Sequence, residues 1–198
     1  SDLGFATYNQ NMEYIKRLID IIKESLPTVK ICLGGTTATF YADEIMQDIK
    51  AVDYIVCGEG ELIFKDLIDC LYEGKPIDKI DGLVFRKADG GIIQNRQRTP
   101  IQNLDILPFP ARDILKDHKL KIAILSTARG CTHNCSFCVS HNYWKYNDKF
   151  NWRSRSVDRI LDEIEMICHE HHIKHFWFSD PSFEDPNFNR ERMIDIAQ

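Results

Sequence analysis

Two rhythms of apolar and polar positions divide the chain. From residue 3 to residue 80, short apolar runs of strand length alternate with stretches in which apolar residues recur every three or four positions. Residues 3–7 (LGFAT) read as a short strand. Over residues 11–26 the side chains of Met12, Ile15, Leu18, Ile19, Ile22 and Leu26 share one helical face. Pro27 ends that helix, because proline has no amide to continue the ladder. Residues 29–33 (VKICL) form a second strand closed by Gly34-Gly35, and a short helix follows near 43–49. A third strand covers 53–57 (DYIVC), and a helix over 61–72 stops at Gly74. Strands and helices of these lengths in alternation predict a parallel sheet with helices on its faces.

The pattern then shifts. Residues 82–86 and 91–95 flank Ala88-Asp89-Gly90 and predict a β-hairpin. Residues 100–110, which contain LPFP, read as a proline-marked linker. A second unit begins at Lys121, whose strand (KIAILST) runs straight into a cysteine-rich loop. Ser156 is placed to cap a helix with Val157, Ile160, Leu161, Ile164, Ile167 and Cys168 on its apolar stripe. Residues 173–179 (IKHFWFS) give another strand, and a last helix starts near Asn189. No internal period and no low-complexity tract interrupts these units.

Composition narrows the function classes. With 43% hydrophobic residues, the 198-residue chain can build a real core and does not read as disordered. A net charge of −5 argues against an overall electrostatic nucleic-acid binder. The basic and aromatic mixture at 143–155 could stack on bases, but no broader basic surface supports it. No apolar run is long enough for a membrane span, and the N-terminal residues lack the order of a signal peptide. Seven cysteines is an odd number, and their spacing suggests no disulfide framework. Cys32, Cys57, Cys70 and Cys168 lie among apolar residues and read as small buried hydrophobes, which points to a reducing cytoplasm.

The remaining three thiols, Cys131, Cys135 and Cys138, form C-x3-C-x2-C within one loop. Such a loop can turn its side chains toward one inorganic centre. Zinc in a Cys3His site with His133 or His141 is one reading. An iron–sulfur cluster with three thiolates and one open iron is another, and a disulfide is a weaker one. The loop follows the C-terminal end of an apolar strand, where α/β folds place their ligands, and this favours a ligand-binding role. Other candidates read as less specific. Arg153 and Arg155 could bind an anionic group or be a solvated pair. His169, His171, His172 and His175 straddle a helix end and a strand, which suits capping and surface roles better than a metal site.

The stretch STARGCTHNCSFCVSHNYW resembles the signature of radical S-adenosylmethionine enzymes. WRSRSVDRILDEIE and HFWFSDPSFEDPN are similar to segments that follow the cysteines in the cobalamin-associated branch of that superfamily. Upstream, KICLGGTTAT, VDYIVCGEGE, IDGLVFRKADGGII and NLDILPFPARDIL also resemble that branch, near its anaerobic magnesium-protoporphyrin ester cyclase-like and methyltransferase-like members. The resemblance implies an α/β chain in three parts. Residues 1–80 would be a partial Rossmann-like cobalamin-binding domain, and 81–118 a β-hairpin and Pro-rich linker. Residues 119–198 would be the first βα units of a radical-SAM (β/α) partial barrel.

The resemblance also implies chemistry. Cys131, Cys135 and Cys138 would hold three irons of a 4Fe-4S cluster, leaving the fourth iron for S-adenosylmethionine. One electron then cleaves the sulfonium to methionine and a 5′-deoxyadenosyl radical, which abstracts hydrogen from a small-molecule substrate. Flavodoxin or ferredoxin is the implied electron donor, with no nucleic-acid partner. By motif position, Phe137 would pack near the adenine and Asp180 would contact S-adenosylmethionine, while Gly34 and Gly35 would approach cobalamin. The outcome would be methyl transfer or oxidative cyclisation. A non-catalytic cobalamin or tetrapyrrole module and a zinc-stabilised interaction domain are the alternatives.

Two departures qualify the expectation. No D-x-H-x-x-G loop, which would carry a cobalt-ligating histidine, is present, and only residues 139–198 follow the third cysteine. The stretch is therefore expected to be a piece of a longer enzyme, incomplete and inactive alone.

Overall fold

Alternation along the strands of the first unit sends successive side chains to opposite faces, and each face finds its own helices. The computed structural model describes residues 2–8, 11–113, 120–145, 152–184 and 190–198. It divides into Ser1–Pro100 and Ile101–Gln198. In the first unit, β1 (Asp2–Ala6), β2 (Lys30–Gly34) and β3 (Tyr54–Val56) run parallel. β4 (Leu83–Arg86) and β5 (Ile92–Gln94) extend the sheet as an antiparallel hairpin, in the order β1-β2-β3-β4-β5. Ile31, Leu33, Ile55 and Val84 pack on one face against α1 (Met12–Ser25), α2 (Thr36–Phe40) and α3 (Ala42–Asp48). Cys32, Tyr54, Val56, Leu83 and Phe85 pack on the other, with Ile63 and Leu67 of α4 (Gly60–Glu73). Each fully buried aliphatic side chain contributes roughly 1.5–3 kcal/mol.

Element types follow the sequence pattern, with instructive differences. On α1 the buried residues are Ile15 and Ile19, whereas Leu18 is exposed at the edge of the stripe. Leu26 lies beyond the last helical residue and is also exposed. The helix α2 was not expected, because TTATF carries no amphipathic period. The hairpin, expected in a separate segment 81–118, is joined to the first sheet, because β3 leaves an edge whose amides and carbonyls β4 pairs. Residues 101–113 fall in the second unit, and the expected boundary at 118/119 lies outside the described residues.

In the second unit, β6 (Ile122–Leu125) pairs in parallel with β9 (His175–Phe178). Ala123, Leu125, Phe176 and Phe178 face α6 (Val157–His171), which packs Ile164 and Ile167 against them. The Ser156 side chain caps that helix by accepting the Arg159 amide at 3.2 Å. The proline segment is strapped down rather than free. Asp105 accepts the Ser156 amide at 3.0 Å, and the Arg159 guanidinium lies 3.7 Å from the Phe109 ring centroid. The last helix, expected near Asn189, is described as α7 (Glu191–Ala197).

Asp53 ties the starts of β2 and β3 together. Its carboxylate accepts the Ile31 amide at 3.0 Å and the Lys30 ammonium at 2.8 Å, with Lys23 at 3.5 Å. Burial alone pushes its pKa up. The Lys30 and Ile31 hydrogen bonds and the two lysine charges outweigh that and hold it below its ordinary value of 3.8. A carboxyl more acidic folded than unfolded adds stability that is complete above the ordinary value. That stability is lost as pH falls through the folded pKa. Asp53→Asn is therefore expected to lower unfolding free energy at neutral pH, and the gap to the native chain should close below about pH 4. Urea titrations at pH 7 and pH 3 measure both; a gap that does not change with pH would contradict the assignment.

Candidate functional site

Both units present their chemistry where parallel strands end. In the second unit, the chain leaves β6 through Ser126-Thr127 and enters β7 (Ala128–Arg129), which pairs antiparallel with β8 (Arg153–Ser154). The stretches before the cysteines and after them are thus clasped together by this pairing. Gly130, at φ 92°, turns the chain out of β7 in a conformation that other residues rarely adopt. The neck is held by side chains as well. Asp180, just past β9, accepts the Thr127 amide at 2.6 Å, the Ala128 amide at 2.9 Å and the Thr127 hydroxyl at 2.5 Å. The Arg155 amide donates to the Thr127 carbonyl at 2.9 Å.

Cys131 and Cys138 are half-buried and Cys135 is exposed; all three are free thiols. The Cys138 amide donates to the Cys135 carbonyl at 3.0 Å, closing a turn over Ser136-Phe137. Phe137 is 91% exposed at the tip of that turn. Beyond the third cysteine a short helix, α5 (Ser140–Tyr143), follows. Among the described residues, no three His, Cys, Asp or Glu side chains are gathered closely enough to hold a metal ion. The loop therefore brings its thiols into one exposed segment without converging them, and the histidines of the α6 end and β9 are not gathered either. The donor set nevertheless fits an iron–sulfur centre, since thiolates are the ligands that such clusters take. The thiol of Cys57 is of another kind: burial, with the nearby Asp43 charge, pushes it up to about 12. It stays protonated and inert, packed partly buried against the core rather than within it.

The arginines have structural partners. Arg153 is buried and donates to the Ile101 carbonyl at 2.5 Å. Arg155 pairs with Glu163 at 2.6 Å, and Arg112 reaches the other Glu163 oxygen at 2.5 Å. Glu163 is 1% exposed, so its charge is withdrawn from water and rests on these two guanidinium groups. Sequence reasoning missed Glu163. The signal was a carboxylate inside the apolar stripe between Ile160 and Ile167.

In the first unit an open groove of about 500 Å³ lies over the C-terminal ends of β1–β3, walled by the first turn of α4 and Phe64. Its size suits a small-molecule or cofactor moiety, and no histidine is among the described residues lining it. Gly4, Gly34, Gly35 and Gly60 line it for different reasons. A Cβ on Gly4, Gly34 or Gly60 would come no nearer than 3.4 Å to any neighbour. Glycine there is not needed to prevent a clash, and a side chain would fill the groove instead. Gly35 has φ 91°, and a Cβ would sit 2.9 Å from the Thr7 carbonyl oxygen and 3.0 Å from its amide nitrogen. Thr7 is fully buried, and its hydroxyl accepts the Ala38 amide at 2.9 Å while donating to the Gly34 carbonyl at 2.8 Å. The two glycines named together in the sequence thus separate: Gly34 faces the groove, and Gly35 allows the close approach that locks β1 to the start of α2.

Sheet, groove and loop define an α/β unit with an open groove at its strand ends, followed by a strand-borne cysteine loop. Comparison with known proteins agrees. Residues 3–68 match the B12 binding domain family. Over 182 residues the chain is 35% identical to an uncharacterized methyltransferase of Pyrococcus horikoshii, covering 89% of this chain and 38% of that protein. Over 193 residues it is 28% identical to the anaerobic magnesium-protoporphyrin IX monomethyl ester cyclase of Rubrivivax gelatinosus, covering 92% and 33%. The structure of the cobalamin-dependent S-adenosylmethionine radical enzyme OxsB with aqua-cobalamin bound superposes with a TM-score of 0.79 at 25% identity, covering 98% of this chain and 28% of that one. The chain thus resembles part of the cobalamin-dependent radical S-adenosylmethionine enzymes in sequence and fold, with a B12-binding domain match in its first unit. It spans about a third of the length of the curated relatives it matches.

The glycine assignments are separable by experiment. Gly35→Ala is expected to cost about 2–4 kcal/mol, from positive-φ strain plus the overlap with Thr7. Gly34→Ala is expected to stay within about 1 kcal/mol of the native chain. Chemical denaturation measures both, and equal costs would refute the distinction.

Proposed function

We propose that this chain supplies the cobalamin-binding and cluster-binding parts of a radical S-adenosylmethionine enzyme acting on a small organic molecule, by methyl transfer or oxidative cyclisation. The observation that carries the reading is the C-x3-C-x2-C loop, launched from the end of a parallel strand and clasped at its neck by β7–β8 and Asp180. Cys131, Cys135 and Cys138 would hold a 4Fe-4S cluster. When bound, such a cluster would supply the electron for reductive cleavage of S-adenosylmethionine, and cobalamin would supply a methyl carrier.

The protein's own part is placement. The neck holds the two loop limbs at the strand ends, and Phe137 offers an exposed ring beside the third thiol for a flat adenine to stack on. In the first unit, Gly34 keeps the groove open to an apolar portion of cobalamin, and Gly35 sets the backbone under it. The electron arrives from a reduced flavodoxin- or ferredoxin-type donor, and free thiols accord with a reducing compartment such as the cytoplasm. No helix among the described residues is long and apolar enough to cross a membrane.

Anaerobic reconstitution of the chain with iron and sulfide tests the cluster. About four irons and four sulfides per chain are expected, with a visible absorption that bleaches on reduction and gives an EPR signal. Cys131→Ala should abolish that signal; an unchanged signal would refute the ligand assignment, and stoichiometric zinc without sulfide would favour a zinc site. Equilibrium dialysis with hydroxocobalamin tests the groove. Gly34→Val should weaken uptake by about tenfold or more through lost space, and undiminished uptake would remove the groove from the site.

A further inference from the structure

Asp180 stands where the resemblance expects a cofactor contact, yet both of its oxygens are already engaged inside the protein. Its Oδ1 accepts the Thr127 amide at 2.6 Å, the Ala128 amide at 2.9 Å and the Ser126 hydroxyl at 3.2 Å. Its Oδ2 accepts the Thr127 hydroxyl at 2.5 Å. A carboxylate offers about two acceptor sites on each oxygen: the two amides occupy those of Oδ1, and the Thr127 hydroxyl takes one on Oδ2. Thr127 is itself saturated and fully buried. Its hydroxyl oxygen accepts Arg192 Nη2 at 2.6 Å, and its carbonyl accepts the Arg155 amide at 2.9 Å. Arg192 is held in turn by the Phe183 carbonyl at 2.8 Å and lies 5.1 Å from the Phe183 ring centroid. One bracket therefore runs from the end of β9 through Asp180 to the residues that launch the cysteine loop, with α7 behind it.

We infer that Asp180 is a positioning residue: it fixes Ser126–Ala128, and so the take-off of the loop bearing Cys131, without contacting S-adenosylmethionine through its charge. Only Arg129 and Gly130 separate the bracketed Ala128 from Cys131. A released neck would let the first thiol swing relative to the strand edge, whereas a held one presents it in a fixed direction. The inference rests on the cluster reading proposed above, but its core is a statement about the neck that holds with or without iron.

The test compares Asp180→Asn, Asp180→Ala and Thr127→Val in the whole chain. Asparagine keeps an oxygen for the two amides of the Oδ1 bracket, and only the Thr127 hydroxyl loses its acceptor. Its side chain therefore preserves the geometry while removing the charge. Without cluster, amide exchange at Thr127 and Ala128 should match the native chain in Asp180→Asn and be faster by about tenfold or more in Asp180→Ala. After anaerobic reconstitution, Asp180→Asn should keep the native iron content, EPR g-values and S-adenosylmethionine affinity. Asp180→Ala should retain cluster about tenfold less well.

Native-like exchange and cluster retention in Asp180→Ala would overturn the inference. So would an Asp180→Asn chain that keeps its cluster but binds S-adenosylmethionine about tenfold more weakly, the result of a direct charge contact. Should circular dichroism show Asp180→Ala unfolded, Thr127→Val decides. Faster exchange at Ala128 supports the bracket, and unchanged exchange refutes it. A native chain that takes up no cluster would defeat the proposed function alone, because the exchange comparison still judges the neck.

Discussion

A parallel strand that ends without a hairpin leaves its last amides and carbonyls to be satisfied by something other than the next strand, and both units of this chain meet that demand with a side-chain oxygen. In the first unit it is the Thr7 hydroxyl, which joins the Gly34 carbonyl to the Ala38 amide. In the second it is the Asp180 carboxylate, which takes the Thr127 and Ala128 amides. The groove and the cysteine loop both lie at these strand ends. A ligand placed there meets backbone that is already tied down, which is why a small displacement at either oxygen would reach the site directly.

The same economy governs the buried charges. Glu163 sits in the apolar stripe of α6, yet Arg112 and Arg155 each take one of its oxygens. The guanidinium of Arg155 also donates to the Ser126 carbonyl at 3.1 Å, so this pair leans on the neck of the loop as well. Asp53 plays the corresponding part in the first unit between Lys23 and Lys30. In each case a carboxylate withdrawn from water is matched by cations and amides, and the match joins elements distant in sequence. The proline segment belongs to this scheme. Phe109 under Arg159 and Asp105 at the start of α6 convert an apparent linker into a strap.

Much of this was legible from residue order. The apolar periods located the helices beginning at Met12, Gly60 and Val157, and Gly74 marked a helix end that indeed adopts φ 67°. Ser156 was readable as a cap, because its side chain acts on an amide three residues away. The cysteine loop was readable because ligand spacing is local. What escaped was long-range. Leu18 belongs to the apolar period of α1 but faces outward, since only packing decides how wide a stripe is covered. Glu163 gave a faint signal, but its partners lie 51 residues upstream and 8 residues upstream. Arg153 and Arg155 looked available for an anion until the fold supplied them with Ile101 and Glu163.

By itself the sequence determined the alternation of strands and helices, the cysteine triplet and the resemblance to cobalamin-dependent radical enzymes, because each is written in residues close together along the chain. Only the tertiary structure decided that the hairpin completes the first sheet, that Gly34 faces a groove while Gly35 faces Thr7, and that Asp180 spends its oxygens on the loop's neck. Those outcomes depend on which unpaired backbone groups the folded chain brings within 3 Å of a given side chain, and spacing along the sequence carries no record of that distance.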